Sequence, residues 1–203
     1  MLSFLKDLAR FLFTQKKGGR AEVATAMLAR MHLDKDYRVF EDVTLPTPDG
    51  TTQIDLLILS IHGVFVIEIK DYSGWIFGGE KQSQWTYVRF KKKYQFQNPL
   101  RQNYKHTQAV QNCLGLPESQ VISIINFNSE SVFKTDMPAN VTRGTGFIRN
   151  IREDFRRVFF TEEQVDHMEA TLESVRLTPS RETDREHLAN VRAIQQDPGA
   201  SPC

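Results

Sequence analysis

Two acidic residues and a lysine interrupt an otherwise apolar stretch of the chain, QIDLLILSIHGVFVIEIK at residues 53–70. Aliphatic and aromatic residues dominate both halves of this stretch, which predicts two β-strands joined by a turn near residues 61–63. A turn of even length places Asp55 opposite Glu68 and Gln53 opposite Lys70, with facing Cβ atoms roughly 4.5–5.5 Å apart. An odd turn would shift the register by one residue and break this pairing.

Two facing carboxylates repel each other unless a cation lies between them. Oxygen ligands from Asp55 and Glu68 suit Mg²⁺ or Mn²⁺, which would keep open positions for water and for a phosphate oxygen. Lys70 lies two residues beyond Glu68, on the same strand face, where it can orient a water or stabilise charge on phosphorus. Glu22 could supply a third carboxylate. A metal, a water and a lysine together are what hydrolysis of a phosphodiester requires.

The alternative for these residues is structural, because an aspartate, a glutamate and a lysine on strands usually form a surface salt-bridge cluster. The surrounding sequence argues against that interpretation. Glu68 and Lys70 interrupt a run of valine, isoleucine and phenylalanine, and a buried charge is costly without a partner. The stretch therefore indicates a functional site more strongly than its residue types alone would.

The segment at residues 81–106 carries seven lysines and arginines and no acidic residue, with six aromatic residues interleaved. Cations neutralise phosphates, and exposed aromatic rings can stack on unpaired bases. The alternative is a hairpin with aromatic residues packed inward and solvated lysines. We expect the aromatic residues to pack inward and the charges to bind nucleic acid. The candidate nucleic-acid-binding residues are Arg89, Lys91, Lys92, Lys93, Arg101, Gln102 and Lys105.

The elements that would position these residues follow from hydrophobic periodicity and turn signals. An amphipathic helix is predicted at residues 20–33 and a strand at 37–45, and a hairpin follows the acidic stretch at 75–90. The remaining predictions are a helix at 99–114, a buried strand at 121–127, a polar loop at 128–140 and a helix from Thr161 to about residue 175, capped through Gln164. This order predicts an α/β fold with a mixed β-sheet flanked by helices.

The composition allows one ordinary domain and excludes several classes of protein. The 203 residues are 40% hydrophobic and 10% aromatic, which argues against a disordered or collagen-like chain. The 2 cysteines, Cys113 and Cys203, exclude a disulfide framework and a four-cysteine zinc site, and we expect a cytoplasmic protein with reduced thiols. The net charge of +1 does not exclude a polyanionic partner, because an acidic block at residues 41–80 precedes the basic segment.

The two ends of the chain differ in character from its centre. Residues 1–17 predict an amphipathic helix, because leucines recur at helical spacing and charged residues interrupt them. Those charges exclude an integral membrane segment and a secretory signal. The helix packs on the domain, or it lies on a membrane surface or in an oligomer such as a homodimer. The domain itself is expected at residues 18–177, with a polar, partly disordered tail at 178–203.

Four stretches of the sequence match one known family in type and in order. They are GGRAEVATAML at residues 18–28, QIDLLILSIHGVFVIEIKDYSGWIFGG at 53–79, Trp85, and NPLRQNYKH at 98–106. On these motifs the chain resembles the NERD (nuclease-related) domain over roughly residues 18–128. That domain is a branch of the PD-(D/E)xK restriction-endonuclease-like superfamily.

The resemblance implies both a fold and a chemistry. The fold is a restriction-endonuclease-like core with a mixed sheet and helices in αβββαβ order. The activity is that of a nuclease dependent on Mg²⁺ or Mn²⁺, with DNA favoured over RNA as its partner. The residues implied are Asp55, Glu68 and the carbonyl of Ile69 as metal ligands, Lys70 to position water, and Glu22 and Gln53 as assisting groups. Leu56 stands where many members have histidine, so full activity depends on whether that histidine is needed.

Three hypotheses for function follow from the sequence. The leading one is a metal-dependent nuclease. The second is a non-catalytic nucleic-acid-binding module that keeps the nuclease-like fold. The third is a membrane-peripheral adaptor anchored by residues 1–17, in which the acidic pocket has no catalytic role.

Overall fold

The computed structural model describes residues 19–177, so the predicted helix at 1–17 and the predicted tail at 178–203 lie outside the described residues. A helix and three antiparallel strands come first. Helix α1 (Gly19–His32) precedes strands β1 (Arg38–Thr47), β2 (Gly50–Ser60) and β3 (Gly63–Lys70).

A five-stranded mixed sheet forms the centre of the fold, with the strand order β1-β2-β3-β7-β9. After β3 the chain passes through helix α2 (Pro99–Leu114) and returns as β7 (Val121–Phe127), which pairs parallel to β3. Strand β9 (Val141–Arg143) adds a second parallel pair beside β7. The α1-β1-β2-β3-α2-β7 sequence of this core confirms the predicted αβββαβ order.

Helices cover both faces of the central sheet. On one face, α2 and helix α4 (Glu162–Val175) pack against Leu57 and Val66. On the other, α1 and the short helix α3 (Gly146–Arg149) pack against Leu56 and Ile67. A π-helical turn (Asn150–Asp154) follows α3, and Thr161 and Gln164 form the predicted capping box of α4. Within residues 19–177, no helix has the length and apolar character needed to cross a membrane.

A smaller sheet is built from three strands that lie between β3 and α2 and a fourth that follows β7. Its strands are β4 (Trp75–Phe77), β5 (Gln84–Arg89), β6 (Lys92–Gln97) and β8 (Val132–Phe133), in the order β6-β5-β4-β8. Strands β4 and β5 form the predicted hairpin, whereas β8 lies in a segment predicted to be loop. The sheet packs on the central one through Trp85, whose ring stacks on Phe127 at 6.0 Å. Gly78 permits this packing, since a Cβ there would come within 2.1 Å of the Trp85 ring.

The register of β2 and β3 confirms the even turn, with pairs running from Leu56↔Ile67 to Ser60↔Gly63. Beyond Leu56 the two strands diverge, so the predicted pairings of Asp55 with Glu68 and of Gln53 with Lys70 are both wrong. The strand alternation also slips at Asp55, because Ile54 and Leu57 pack on the same side, towards α2. At the facing position of β1, Asp42 has φ 54, in the left-handed region. This local distortion turns Thr52 towards α2 in place of Gln53.

Candidate active site

Asp55 lies where β2 separates from β3 and is held by the backbone of β3. The Ile69 N–H donates a hydrogen bond of 2.7 Å to Asp55 Oδ2. Burial, followed by the negative charge of Glu68, raises the pKa of Asp55 well above its usual range, and the Ile69 hydrogen bond acts in the opposite direction. Glu22 on α1 adds a smaller repulsion. The negative charge of Asp55 is therefore only partly compensated by the Ile69 N–H and the Lys70 ammonium.

Glu68 lies on β3 with only 3% of its surface exposed, and an ammonium and an imidazole lie against its two oxygens. Lys70 Nζ lies 2.6 Å from Oε1, and His106 Nε2 lies 3.2 Å from Oε2. Burial acts to raise the pKa of Glu68, but the nearby imidazole and the ammonium outweigh it and lower that pKa. Glu68 is thus an ionised, buried carboxylate fixed at both oxygens.

The imidazole of His106 reaches Glu68 from helix α2 and is oriented by β2. Thr52 Oγ1 lies 2.6 Å from His106 Nδ1, and both residues are buried. A proton on Nε2 pairs favourably with the Glu68 carboxylate, and in the neutral ring this leaves Nδ1 to accept from the Thr52 hydroxyl. In that tautomer an N–H faces Glu68. Since Nε2 makes no well-aligned hydrogen bond, this contact is electrostatic.

Lys70 is held by a second residue of the same helix. Its ammonium donates to Gln102 Oε1 at 2.9 Å. Gln102 and His106 lie four residues apart, so both project from one face of α2. Asn103 holds α2 against β3 and β7, because its buried amide donates to Val66 O at 2.9 Å and to Ser123 Oγ at 2.8 Å. One docked helix therefore supplies a partner to both Glu68 and Lys70.

The structure brings together most of the predicted catalytic residues. Asp55, Glu68 and Lys70 meet at the end of β3, and Ile69 takes part through its N–H. Gln53 instead donates its side-chain amide to the Asp42 carboxylate. Within residues 19–177, no side-chain hydrogen bond joins Gln53 to Asp55 or Glu68.

The predicted nucleic-acid-binding residues fall into two groups. Arg89, Lys91, Lys92 and Lys93 are exposed on the ribbon formed by β5 and β6. The other three lie on α2, where Lys105 is exposed and the Arg101 guanidinium donates to the Lys81 carbonyl. Gln102 lies inside the site instead of on an outer phosphate path.

Sequence reasoning missed Thr52 and His106. The four-residue spacing of Gln102 and His106 on a predicted helix was an available signal for the histidine. No comparable signal existed for Thr52, because strict strand alternation turns Gln53 towards the site.

Asp55 and Glu68 are the residues that could hold a divalent cation. Among the described residues, no group of three or more His, Cys, Asp or Glu side chains is arranged to bind a metal. Mg²⁺ is nevertheless commonly held by one or two carboxylates with waters and phosphate oxygens. A cation beside Asp55 would offset the burial and the Glu68 repulsion that raise its pKa. The donor set therefore fits Mg²⁺ or Mn²⁺ with two side-chain ligands.

Residues 17–128 match the nuclease-related domain (NERD) family, which is more than half of the chain. The chain belongs to this family. The match includes Asp55, Glu68, Lys70 and His106 of this NERD domain, together with its basic ribbon.

One relative of this NERD protein is an uncharacterized protein from Bacillus anthracis. The two are 37% identical over 144 residues, which is 68% of this chain and 66% of the relative. The matched region thus spans just under two thirds of the relative's length.

Proposed function

We propose that this NERD domain is a divalent-metal-dependent nuclease that hydrolyses phosphodiester bonds, with DNA favoured as the substrate. The observation that carries the proposal is the convergence of Asp55, Glu68 and Lys70 at the end of β3. Glu68 is fixed by Lys70 at 2.6 Å and by His106 at 3.2 Å, so its charge has a defined position.

The metal would be Mg²⁺ or Mn²⁺, held by Asp55 and Glu68, with the Ile69 carbonyl as a further ligand. Such an ion polarises the phosphoryl group and lowers the pKa of the attacking water. Two N–H groups of the Lys70 ammonium face Glu68 and Gln102, and the third would donate to that water or to a phosphate oxygen and so stabilise the charge that develops on phosphorus. Gln102 keeps the ammonium in place. Glu22 adds negative charge beside Asp55 and could hold a water.

His106 and Thr52 act through Glu68. The N–H that faces Oε2 favours the ionised carboxylate, which is the form that can bind a metal. Thr52 fixes the plane of the imidazole. Pairs of this type orient a ligating carboxylate, and their loss typically costs 10- to 100-fold in metal affinity or activity.

The test is a titration of Mg²⁺ and Mn²⁺ against labelled single- and double-stranded DNA and RNA. We expect metal-dependent cleavage by the natural chain. Asp55→Ala and Lys70→Ala should abolish it, while circular dichroism shows a retained fold. Unchanged cleavage by either purified variant would contradict the assignment.

A second candidate function is a nucleic-acid-binding module without catalysis. It is favoured by one observation: Lys70 and His106 already contact both oxygens of the Glu68 carboxylate. This candidate predicts nucleic-acid binding in EDTA, no metal-dependent cleavage, and a steep dependence of affinity on salt.

A further inference from the structure

We infer that the aromatic face of the β5–β6 ribbon binds an unpaired strand of nucleic acid through its bases. This inference rests on the proposed function, because it takes a phosphodiester chain as the substrate. It adds the form of that substrate, which is single-stranded.

One face of the ribbon becomes steadily more exposed towards its tip. The facing pairs along it are Trp85↔Phe96, Tyr87↔Tyr94 and Arg89↔Lys92. Trp85 is 1% exposed, whereas Tyr94 is 50% exposed and Phe90, in the turn, is 83% exposed. The prediction that the aromatic residues pack inward therefore holds at the base of the ribbon and is wrong at its tip.

A series of stacked rings runs from this face to Tyr72, just beyond the end of β3. Tyr72 follows Lys70 by two residues, and its ring stacks on Tyr87 with centroids 4.9 Å apart. Tyr87 stacks in turn on Tyr94 at 5.8 Å. A groove of about 540 Å³ runs along these rings and is also lined by Arg89 and Lys92. A strand in this groove would have its phosphates near cations and would lead towards Lys70.

The turn of the ribbon holds a large apolar residue in a costly conformation. Phe90 has φ 49 and Lys91 has φ 63, values at which glycine, asparagine and aspartate are strongly preferred. Among residues 19–177 the Phe90 ring packs into no hydrophobic core cluster, and the Arg89 guanidinium lies 5.0 Å from its centroid. Strain of this kind at an exposed residue points to a function for that residue. A ring held in solvent beside a guanidinium can stack on a base.

Charge and ring exposure together select the occupant. No acidic residue occurs at residues 81–106, so the ribbon attracts a polyanion. Cations alone would bind a duplex equally well, because a duplex also presents phosphates. The faces of its bases, however, are stacked on one another and cannot contact a protein ring. The exposed rings of Phe90 and Tyr94 gain contacts only with unpaired bases.

The experiment compares the affinity of the full chain for a labelled oligonucleotide with its affinity for the duplex of the same sequence. It is carried out in EDTA, once with DNA and once with RNA, to show which of the two the ribbon binds as an unpaired strand. Phe90→Asn removes a ring and suits the positive φ, so loss of folding does not explain its effect. Tyr94→Leu removes a second exposed ring. The control is Val158→Asn, which changes an exposed apolar residue far from the ribbon. The next residue, Phe159, donates its N–H to the Ile61 carbonyl in the β2–β3 turn. That turn lies at the opposite end of β3 from Lys70.

We expect the natural chain to bind the single strand more tightly than the duplex. Phe90→Asn and Tyr94→Leu should each lower the single-strand affinity about 5- to 100-fold, and reduce the ratio of single-strand to duplex affinity. Val158→Asn should leave both affinities within about twofold of the natural values.

Equal or tighter binding of the duplex would overturn the inference, and so would an unaltered affinity ratio in both ring variants. Cleavage of the same oligonucleotides with Mn²⁺ separates this result from the proposed function. Metal-dependent cleavage with an unaltered ratio refutes only the single-strand inference, whereas absence of both binding and cleavage refutes both.

Discussion

Asp55 and Glu68 are neighbours in space with opposite electrostatic conditions. Burial and the charge of Glu68 raise the pKa of Asp55, whereas Lys70 and His106 lower that of Glu68 in spite of its burial. The difference follows from geometry, because α2 supplies His106 to Glu68 and Gln102 to Lys70. Among the described residues, Asp55 receives one hydrogen bond, from the Ile69 N–H. Replacing each carboxylate by its neutral amide should therefore change the stability of the fold in opposite directions.

Asp55→Asn should stabilise the metal-free chain at neutral pH, because it removes a disfavoured charge and keeps an oxygen for the Ile69 N–H. The raised pKa means that protonation of Asp55 stabilises the fold below the ordinary aspartate pKa. That stabilisation is lost as pH rises through the raised pKa. The advantage of the variant should thus grow with pH. Thermal unfolding of both proteins in EDTA from acid to neutral pH measures this advantage. In a chain of this size, each kcal/mol of added stability should raise the melting temperature by about 2–4 °C.

Glu68→Gln is the matched comparison and should destabilise the chain. Breaking a buried ion pair costs about 3–5 kcal/mol, and we expect the lower end because the Lys70 side chain keeps 15% exposure. Equal shifts of the melting temperature in both variants would contradict the electrostatic description of the site.

Gln102→Leu tests whether the position of the Lys70 ammonium matters. Without its acceptor at 2.9 Å, Lys70 loses one of two anchors, and cleavage should fall about 10- to 100-fold. The rise in melting temperature on adding Mn²⁺ should match that of the natural chain, because Gln102 is not a metal ligand. Gln111→Leu, at the other end of α2, is the control. Full activity of Gln102→Leu would show that the contact is incidental.

The residue types of the site were predictable, but part of its geometry was not. Asp55, Glu68 and Lys70 stood out because they interrupt apolar strands. Thr52 did not, since its direction depends on the slip at Asp55 and on the positive φ of Asp42, neither of which any local pattern encodes.

At the scale of elements, α2 is the part that assembles the site, and Asn98 sets where it begins. The fully buried Asn98 caps the helix through Oδ1 to Leu100 N at 2.9 Å. Its Nδ2 donates to the carbonyls of Glu80 at 3.0 Å and Gln82 at 2.7 Å. This one side chain ties the smaller sheet's loop to the helix that carries Gln102 and His106.

Asn98→Asp separates these two roles, because aspartate caps helices as well as asparagine does. It has no N–H to give to the loop carbonyls and would place a charge beside them. We expect a loss of about 2–4 kcal/mol in the free energy of unfolding, measured by urea denaturation. A loss below about 0.5 kcal/mol would show that the capping role alone matters.

Element boundaries were predictable where local chemistry marks them. The bounds of α2 and β7 were predicted correctly, because Pro99 starts the helix and Gly115 ends it with φ 65. The two- and three-residue strands β8 and β9 were missed. Both pair in parallel with strands distant in sequence, so their formation depends on the assembled sheets and not on their own residues.

Across the whole molecule, charges of opposite sign lie on different parts of the fold. The acidic stretch at residues 41–80 contains the strands that carry Asp55 and Glu68, and the basic segment at 81–106 forms the ribbon and the start of α2. The net charge of +1 therefore conceals an arrangement suited to a nuclease. Such an enzyme uses carboxylates for its metal and cations for its substrate.

The ribbon cations should dominate the salt dependence of nucleic-acid binding. For a single strand, the slope of log K against log salt changes by about 0.7 for each phosphate contact removed. Replacing Lys91 and Lys93 by Gln should therefore reduce the slope by up to about 1.4. Fluorescence anisotropy over a salt series measures it, with Lys35→Gln outside the ribbon as the control. If the double variant has the same slope as the natural chain, the phosphates do not contact Lys91 and Lys93.

The central claim is that Asp55 and Glu68 form a metal-dependent nuclease centre, and cleavage by Asp55→Asn in Mn²⁺ tests it most directly. This variant is expected to be folded and more heat-stable than the natural chain when metal-free, so misfolding cannot explain inactivity. The control is Asp49→Asn, in the exposed β1–β2 turn. The account predicts Mn²⁺-dependent cleavage by the natural chain and the control, and only uncatalysed background from Asp55→Asn. Cleavage by Asp55→Asn at the natural rate would contradict it.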